Sequence, residues 1–588
     1  MPLSILKNFR RKVILIMLQN ILFLIFFIIV IFPMGKYMYH IAMDQQTFAD
    51  PLFDRIDNTI YHICGIDKKG MTWKQYAFSM LATNAIMVLV GYLILRCQAL
   101  PIFNPNAIGG MEPSLSFNTI ISFITNTDLQ HYAGESSLSY LSQMLVIIFM
   151  MFTSAATGFA VAVAAIRAFS GKVKSMGNFY TDLIRITTRV LLPLSLIIGL
   201  TLVSQGAVQN LSPNTTVQTI EGKYQDIAMG PIAALESIKH IGTNGGGFLS
   251  ANSSAPFENP NVFTNMLEML SMMLLPGASV IMFGLMVRNR KKEATKENTK
   301  NFFLGSEAKP IFAVMFTLLI IGATVCFNAE QAGNPALEQV GLSQTMGNME
   351  GKETRFGIAQ SSLFTTATTA FTTGSVDNMH DTLTPLGGMV PLVNMMLNVV
   401  FGGKGVGLLN MIMYVILTVF ICGLMVGRTP EYLAKKIEGR EMKLAALSII
   451  IHPLLILFFT ALAVSVPAGL AGISNPGHHG LTQILYEFTS SAANNGSGFE
   501  GLVDNTFFWN LTTGFAMFFG RYLSIILSLA IASSLMLKQP VNESAGTLKT
   551  DTKTFGVVLF MIVLIIAALT FFPVLILGPV AEHMVLWN

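Results

Sequence analysis

Apolar residues gather into ten long blocks, at about 13–34, 76–97, 139–166, 189–205, 262–287, 311–328, 389–426, 445–466, 506–537 and 555–578. A helix needs about 20 such residues to cross a hydrocarbon core of roughly 30 Å, so each block predicts one span. Between them lie four shorter semi-apolar stretches, each running into small polar residues and glycine. They are FNTIISFITNTD (117–128), PIAALESIKHIGTNGG (231–246), SSLFTTATTAFTTGSV (361–376) and LTQILYEFTSSAANNGSG (481–498). Their polar ends fall near Asn126, Asn244, Gly374 and Gly496, an interval of about 120 residues that marks an internal repeat. The unit is a span, a short helix, a polar turn and a span. The pattern predicts an all-α membrane protein of ten transmembrane helices, four pseudo-fourfold units of this kind with one extra helix at each end. The boundaries are 1–75 for the first extra helix and a cytoplasmic loop, 76–166, 189–287, 311–426 and 445–537 for the repeats, and 538–588 for the last extra helix. The third repeat has an interrupted final helix, because 389–426 is too long for one straight span and is broken by FGGKGVG (401–407).

Composition agrees: of 588 residues, 52% are hydrophobic and 12% charged, about half the charge of a soluble domain. Four cysteines, Cys64, Cys97, Cys326 and Cys422, show no metal or disulfide spacing and read as packing residues. The apolar run after Lys12 is long and lacks a small-residue cleavage site, so no removable signal is expected. Lys and Arg mark the cytoplasmic side. The segments that hold the polar turns carry four, Lys223, Lys239, Lys352 and Arg355, against seventeen in three of the opposite loops. The turns are therefore expected to face outside. The basic KNFRRK (7–12) conflicts with the outside N-terminus this requires. Either the later spans dominate, or translation starts at Met17 rather than Met1, the preferred reading.

A glycine-rich loop first suggests phosphate binding, but GTNGGG (242–247) is not G-x-x-x-x-G-K-[ST] and no strand precedes it. The chain has no phosphorylation loop and no Walker motif, and GGKGVG (402–407) resembles one only superficially. His380-Asp381 and His478-His479 read as polar surface in external loops. Irregular backbone at membrane depth is tolerated where it lines a watery cavity. Four turns around one axis would ring a path with carbonyl and hydroxyl oxygens, the donor set that replaces the water shell of potassium. Glycine takes positive φ cheaply. The short helices aim their partly negative C-terminal ends at the cation, and no carboxylate cluster favours calcium or magnesium.

The residues also carry a resemblance. CGIDKKGMTWKQYA (64–77), SFITNTDLQHY (122–132), IGTNGGGF (241–248), SAPFENPN (254–261), MHDTLTPLGGMVPL (379–392), GLMVGRTPEYLAKKIEGREMK (423–443) and SAANNGSGFEGL (491–502) are similar to the potassium-translocating A subunit family of the bacterial Kdp complex, itself related to the Trk/Ktr/HKT superfamily. The resemblance implies the potassium-binding subunit of an ATP-driven importer in the bacterial inner membrane, with the filter facing outside. This chain would hold no catalytic site and no cofactor beyond the K+ it carries. A P-type ATPase subunit (B) would use ATP and Mg2+, and a single-span subunit (C) and a small peptide subunit (F) would complete the complex. Carried over by position, the filter comprises Thr125, Asn126, Thr127 and Asp128; Gly242, Thr243, Asn244 and Gly245; Thr373, Gly374 and Ser375; and Asn494, Asn495 and Gly496. The first turn departs by having no glycine, and Asp128 stands where many relatives carry Asn; Thr373 replaces the Cys of some relatives. The loop at 401–407 resembles the superfamily's gating loop, with Lys404 as a tethered cation that diverts ions toward the ATPase. Arg521 either repels cations below the filter or pins a helix by bonding carbonyls. The rival readings are a stand-alone Trk/Ktr-like channel or secondary transporter, and an intramembrane enzyme using the histidines.

Overall fold

The computed structural model describes residues 3–48, 50–171, 175–294, 305–403, 405–425, 427, 429–541 and 548–587, with only the helical backbone described over 3–17 and 288–294. Among the described residues ten helices are long and apolar enough to cross a membrane. They are Leu18–Ala42, Trp73–Cys97, Tyr140–Ser170, Phe179–Ser204, Val262–Val287, Ala308–Gln339, Val406–Met425, Gly439–Ser465, Phe507–Leu537 and Lys553–Trp587. Each corresponds to one apolar block, and helices are the form in which a lipid-exposed backbone satisfies its own polar groups. Among the described residues the rest is short helices, turns and loops, with two small hairpins, Thr215–Gln218 with Tyr224–Ile227 and Glu431–Tyr432 with Lys435–Lys436.

Side-chain size sorts the spans into inner and outer ones. In the third span, Ser154 to Ala168 is built almost wholly of alanine, glycine and other small or apolar residues, and all of it is buried. Small residues let backbones approach closely where no hydrophobic force drives helices together. The first span is one-sided: Ile21, Leu22, Ile25, Phe26 and Ile29 are exposed while Phe23, Phe27 and Ile31 are buried. That buried stripe lies on the fifth span, where Gly277 leaves room for the Phe27 ring. The last helix packs on the sixth and seventh spans. The loop after the first span folds back as helix Asp50–Ile63, whose Asp50, Asp54 and Asp57 share one face and all reach Arg189 inside the fourth span.

Four short helices stand between the spans: Pro113–Ile124, Ile232–Ile241, Gly357–Ala370 and His478–Ala493. The first starts where Glu112 accepts the Leu115 N–H at 2.8 Å and Pro113 takes the first helical position. The third is polar yet buried, and its threonines satisfy themselves along the helix: Thr366 donates to Ser362 O and Thr369 to Thr365 O, each at 2.8 Å. The seventh block divides as its length required, into Pro385–Leu397 and Val406–Met425. Asn398, Phe401, Gly402 and Gly405 take positive φ between the two halves, which ends one helix and re-aims the next.

Candidate functional site

The four short helices end where the polar turns begin, and the turns touch one another in a closed ring. Asn126 of the first turn donates its amide to Thr243 O of the second at 2.7 Å. Asn494 of the fourth donates to Thr127 Oγ1 of the first at 2.9 Å. Asn495 of the fourth reaches back to Thr368 O of the third short helix at 3.0 Å. The seam between the second and third turns is closed through Ser375, whose hydroxyl lies 2.9 Å from His240 Nε2 and 3.0 Å from Ser253 Oγ. Thus residues more than a hundred positions apart in sequence meet at each seam.

Local geometry follows from the backbone. Positive φ falls on Asn126 and Asp128, on Thr372 and Gly374, and on Asn494 and Gly496, always two residues apart; in the second turn it falls on Thr243 and Gly246. Alternating ordinary and left-handed residues turns successive carbonyls toward one side. The first turn manages without glycine because Asn and Asp tolerate this conformation better than other side chains. Thr243 and Thr372 are β-branched and tolerate it poorly, at about 1–3 kcal/mol each, which the surrounding packing must hold.

Glycine is required here by closeness as well as by φ. A β-carbon on Gly245 would sit 2.7 Å from Thr127 O and 3.0 Å from Asn495 O. One on Gly374 would fall on Asn495 O, and one on Gly496 on Thr127 O. Gly245 itself has no positive φ, so the sequence argument from conformational freedom does not apply to it. Its glycine is demanded by neighbouring carbonyls. Gly242 and Thr125 sit at helix C-caps with near-helical dihedrals, so they end their helices rather than belong to the extended part of each turn.

The carried-over residues of all four turns are buried together. Thr125, Thr127, Asp128, Thr243, Asn244, Thr373, Ser375 and Asn495 are fully enclosed, and Asn126 and Asn494 nearly so. Sequence reasoning missed Thr372 and Gly246, which carry positive φ, and Asn252, which donates to Gly246 O at 2.5 Å. It also missed Ser154 of the third span, which donates to Asn126 Oδ1, and Gln130, which exchanges two hydrogen bonds with Gly247. Gly246 and Gly247 belong to the same quoted glycine run, which was the available signal.

Below the third turn lies the break in the seventh block. Gly402 N–H donates to Ala370 O at 2.8 Å, and the Phe401 ring stacks on Phe371 at 4.6 Å. A β-carbon on Gly403 would meet both Thr243 Oγ1 and Thr372 O at 3.2 Å. Lys404 lies outside the described residues. Arg521 is buried, with Asp128 within electrostatic reach and its Nη2 lacking a hydrogen-bond partner among the described residues.

On the other side, the segments that follow the turns line a cavity of about 560 Å³, with Gln130, Gly246, Gly374, Gly496, Glu500 and Asp504 in its wall. Burial pushes the Asp504 carboxyl up to about 6 and that of Glu500 up to about 8. For His131 burial acts downward, but Asp504 and Glu487 beside it win and hold the imidazole at about 9. Within the turns the donors are carbonyl, hydroxyl and amide oxygens, with Asp128 the one carboxylate among the carried-over residues. Such a set suits a weakly hydrated monovalent cation better than Ca2+ or Mg2+, which take several charged oxygens.

The family model described as "KdpA: Potassium-transporting ATPase A subunit" matches residues 21–584. A protein of Clostridium acetobutylicum named potassium-transporting ATPase potassium-binding subunit is 59% identical over 97% of this chain and 100% of its own length. A Geobacillus kaustophilus protein of the same name is 54% identical over 96% of this chain and 98% of its own. Among solved structures, the potassium transporter TrkH from Vibrio parahaemolyticus aligns with TM-score 0.49 at 13% identity, covering 85% of this chain and 97% of that one.

Proposed function

The chain belongs to the potassium-transporting ATPase A subunit family, and on that premise we propose that its four turns form one K+ filter. The protein is the potassium-binding and translocating subunit of an ATP-driven importer. One observation carries the reading: Thr127 O, Gly245, Gly374, Asn495 and Gly496, drawn from four separate hairpins, pack main chain against main chain. Rigid carbonyls held at that spacing substitute for water around K+ without the reorganisation that a loose set of ligands would need.

The remaining parts of the proposal follow the same division of labour. The repeats with bounds 76–166, 189–287, 311–426 and 445–537 each supply one turn. The filter faces outside in the bacterial inner membrane, in keeping with the basic loops on the opposite side. The cavity gathers cations before they dehydrate through Asp504, which is ionised above a pH of about 6. Lys404 blocks the straight exit and Arg521 adds a positive barrier beneath Asp128, so the ion leaves sideways toward the partner. ATP and Mg2+ are used by the P-type ATPase subunit (B), accompanied by the single-span subunit (C) and the small peptide subunit (F).

The test is K+-stimulated ATP hydrolysis by the purified complex, compared with Gly245→Asp. A carboxymethyl group at this position collides with Thr127 O and Asn495 O. The K+ concentration for half-maximal activity is expected to rise at least tenfold, about 1.4 kcal/mol; an identical K+ response contradicts the filter.

A further inference from the structure

Three seams of the ring are closed by an amide of the fourth or first turn on an oxygen of its neighbour. The seam between the second and third turns is built differently, around Lys239 in the last turn of the second short helix. This side chain is fully buried. Its ammonium lies 2.5 Å from Glu236 Oε2 and 3.3 Å from Glu258 Oε2, and donates to Asn252 Oδ1 at 2.8 Å and Ser253 Oγ at 3.1 Å. Three N–H donors are thereby fully engaged, and a buried cation without such partners would be very costly.

From the ammonium two arms lead to the filter. Asn252, its oxygen fixed by Lys239, donates its Nδ2 to Gly246 O of the second turn at 2.5 Å. Ser253 reaches the hydroxyl of Ser375 in the third turn at 3.0 Å, and His240 contacts the same hydroxyl at 2.9 Å. Glu258 also accepts the Leu249 N–H at 2.5 Å, which folds the segment after the second turn back over the ammonium.

We propose that Lys239 is a positioning residue for ion selection: through Asn252 and Ser253 it sets the spacing of the second and third turns without touching the ion. The inference rests on the filter reading. A neutral residue would leave Glu236 and Glu258 buried without their cation and free both Asn252 and Ser253 to rotate. The two turns would then relax relative to each other, and selection among monovalent ions of different size would weaken before turnover does.

The experiment measures ATP hydrolysis by the purified complex in K+, Rb+ and NH4+ for wild type, Lys239→Met and Asn252→Ala. Asn252→Ala keeps the ion pairs of Lys239 with Glu236 and Glu258 and removes the Asn252 amide, with its bridge to Gly246 O and its contacts to the ammonium, the Ser253 N–H and the Ser375 hydroxyl. Both variants are expected to raise the KM for K+ roughly tenfold or more, the effect of losing hydrogen bonds to a charged group. They should also reduce the preference for K+ over NH4+, while kcat stays within roughly twofold. A scaffolding role predicts instead a lower yield or kcat with wild-type KM and ion preference, and that result overturns the proposal. If Lys239→Met does not assemble, Asn252→Ala decides on the same readouts; failure of both to assemble assigns the network to scaffolding. A shifted KM in Gly245→Asp with none in these variants sinks this inference alone, whereas no shift in Gly245→Asp removes the filter reading beneath it.

Discussion

The first and fourth turns reach the same backbone with different residues. Both place positive φ two residues apart, at Asn126 and Asp128 in one and at Asn494 and Gly496 in the other. What separates Asp128 from Gly496 is the neighbour. The space a β-carbon needs at Gly496 is taken by Thr127 O, whereas Asp128 holds its side chain in a buried position without such a clash. Conformational tolerance and room for a side chain are therefore separate demands. Gly496 meets both, Asp128 only the first, and Gly245 only the second.

Substitutions can pull the two demands apart. Gly496→Ala offends both, and the KM for K+ should rise about a hundredfold or more in the ATP hydrolysis assay of the complex. Gly245→Ala offends closeness alone, and a rise of roughly tenfold is expected; equal effects at 245 and 496 would show that φ plays no part. Asp128→Ala removes the tolerance for left-handed φ and should raise the KM about five- to tenfold, while Asp128→Asn keeps it and should stay within about threefold. If Asn and Ala behave alike at 128, the carboxylate rather than the backbone is what matters there.

The smallest effect concerns the cavity above the turns. Burial raises the Asp504 carboxyl to about 6, so its negative charge is present above that pH and is lost as pH falls through it. The KM for K+ should accordingly rise by about twofold between pH 7 and 5, a screened vestibular effect. Asp504→Asn should flatten that slope. A slope unchanged in the variant places the titrating group elsewhere.

The membrane spans were legible because twenty-residue apolar runs have few alternatives in lipid, and even the break in the seventh run was visible as excess length, though it begins at Asn398, before the 401–407 loop where the sequence places it. The turns were legible through their repetition. Their membership was less so. Thr372 carries positive φ that a β-branched residue would not advertise, and Ser154 and Asn252 act on turns from other elements. The reason for Gly245 was equally hidden, since a clash with Thr127 and Asn495 exists only after four distant hairpins have met. The Lys239 network escaped for a related cause. In sequence it is one lysine in a segment expected to face outside, and only burial beside Glu236 and Glu258 reveals that its charge is spent inside the protein.

The most direct measurement locates the ion itself: an anomalous difference map of the assembled complex crystallised in Rb+ or Tl+, both mimics of K+. The account predicts a peak on the axis enclosed by Thr127, Gly245, Gly374 and Asn495. Ordered turns with no ion between them, and density only at some other position, would contradict it.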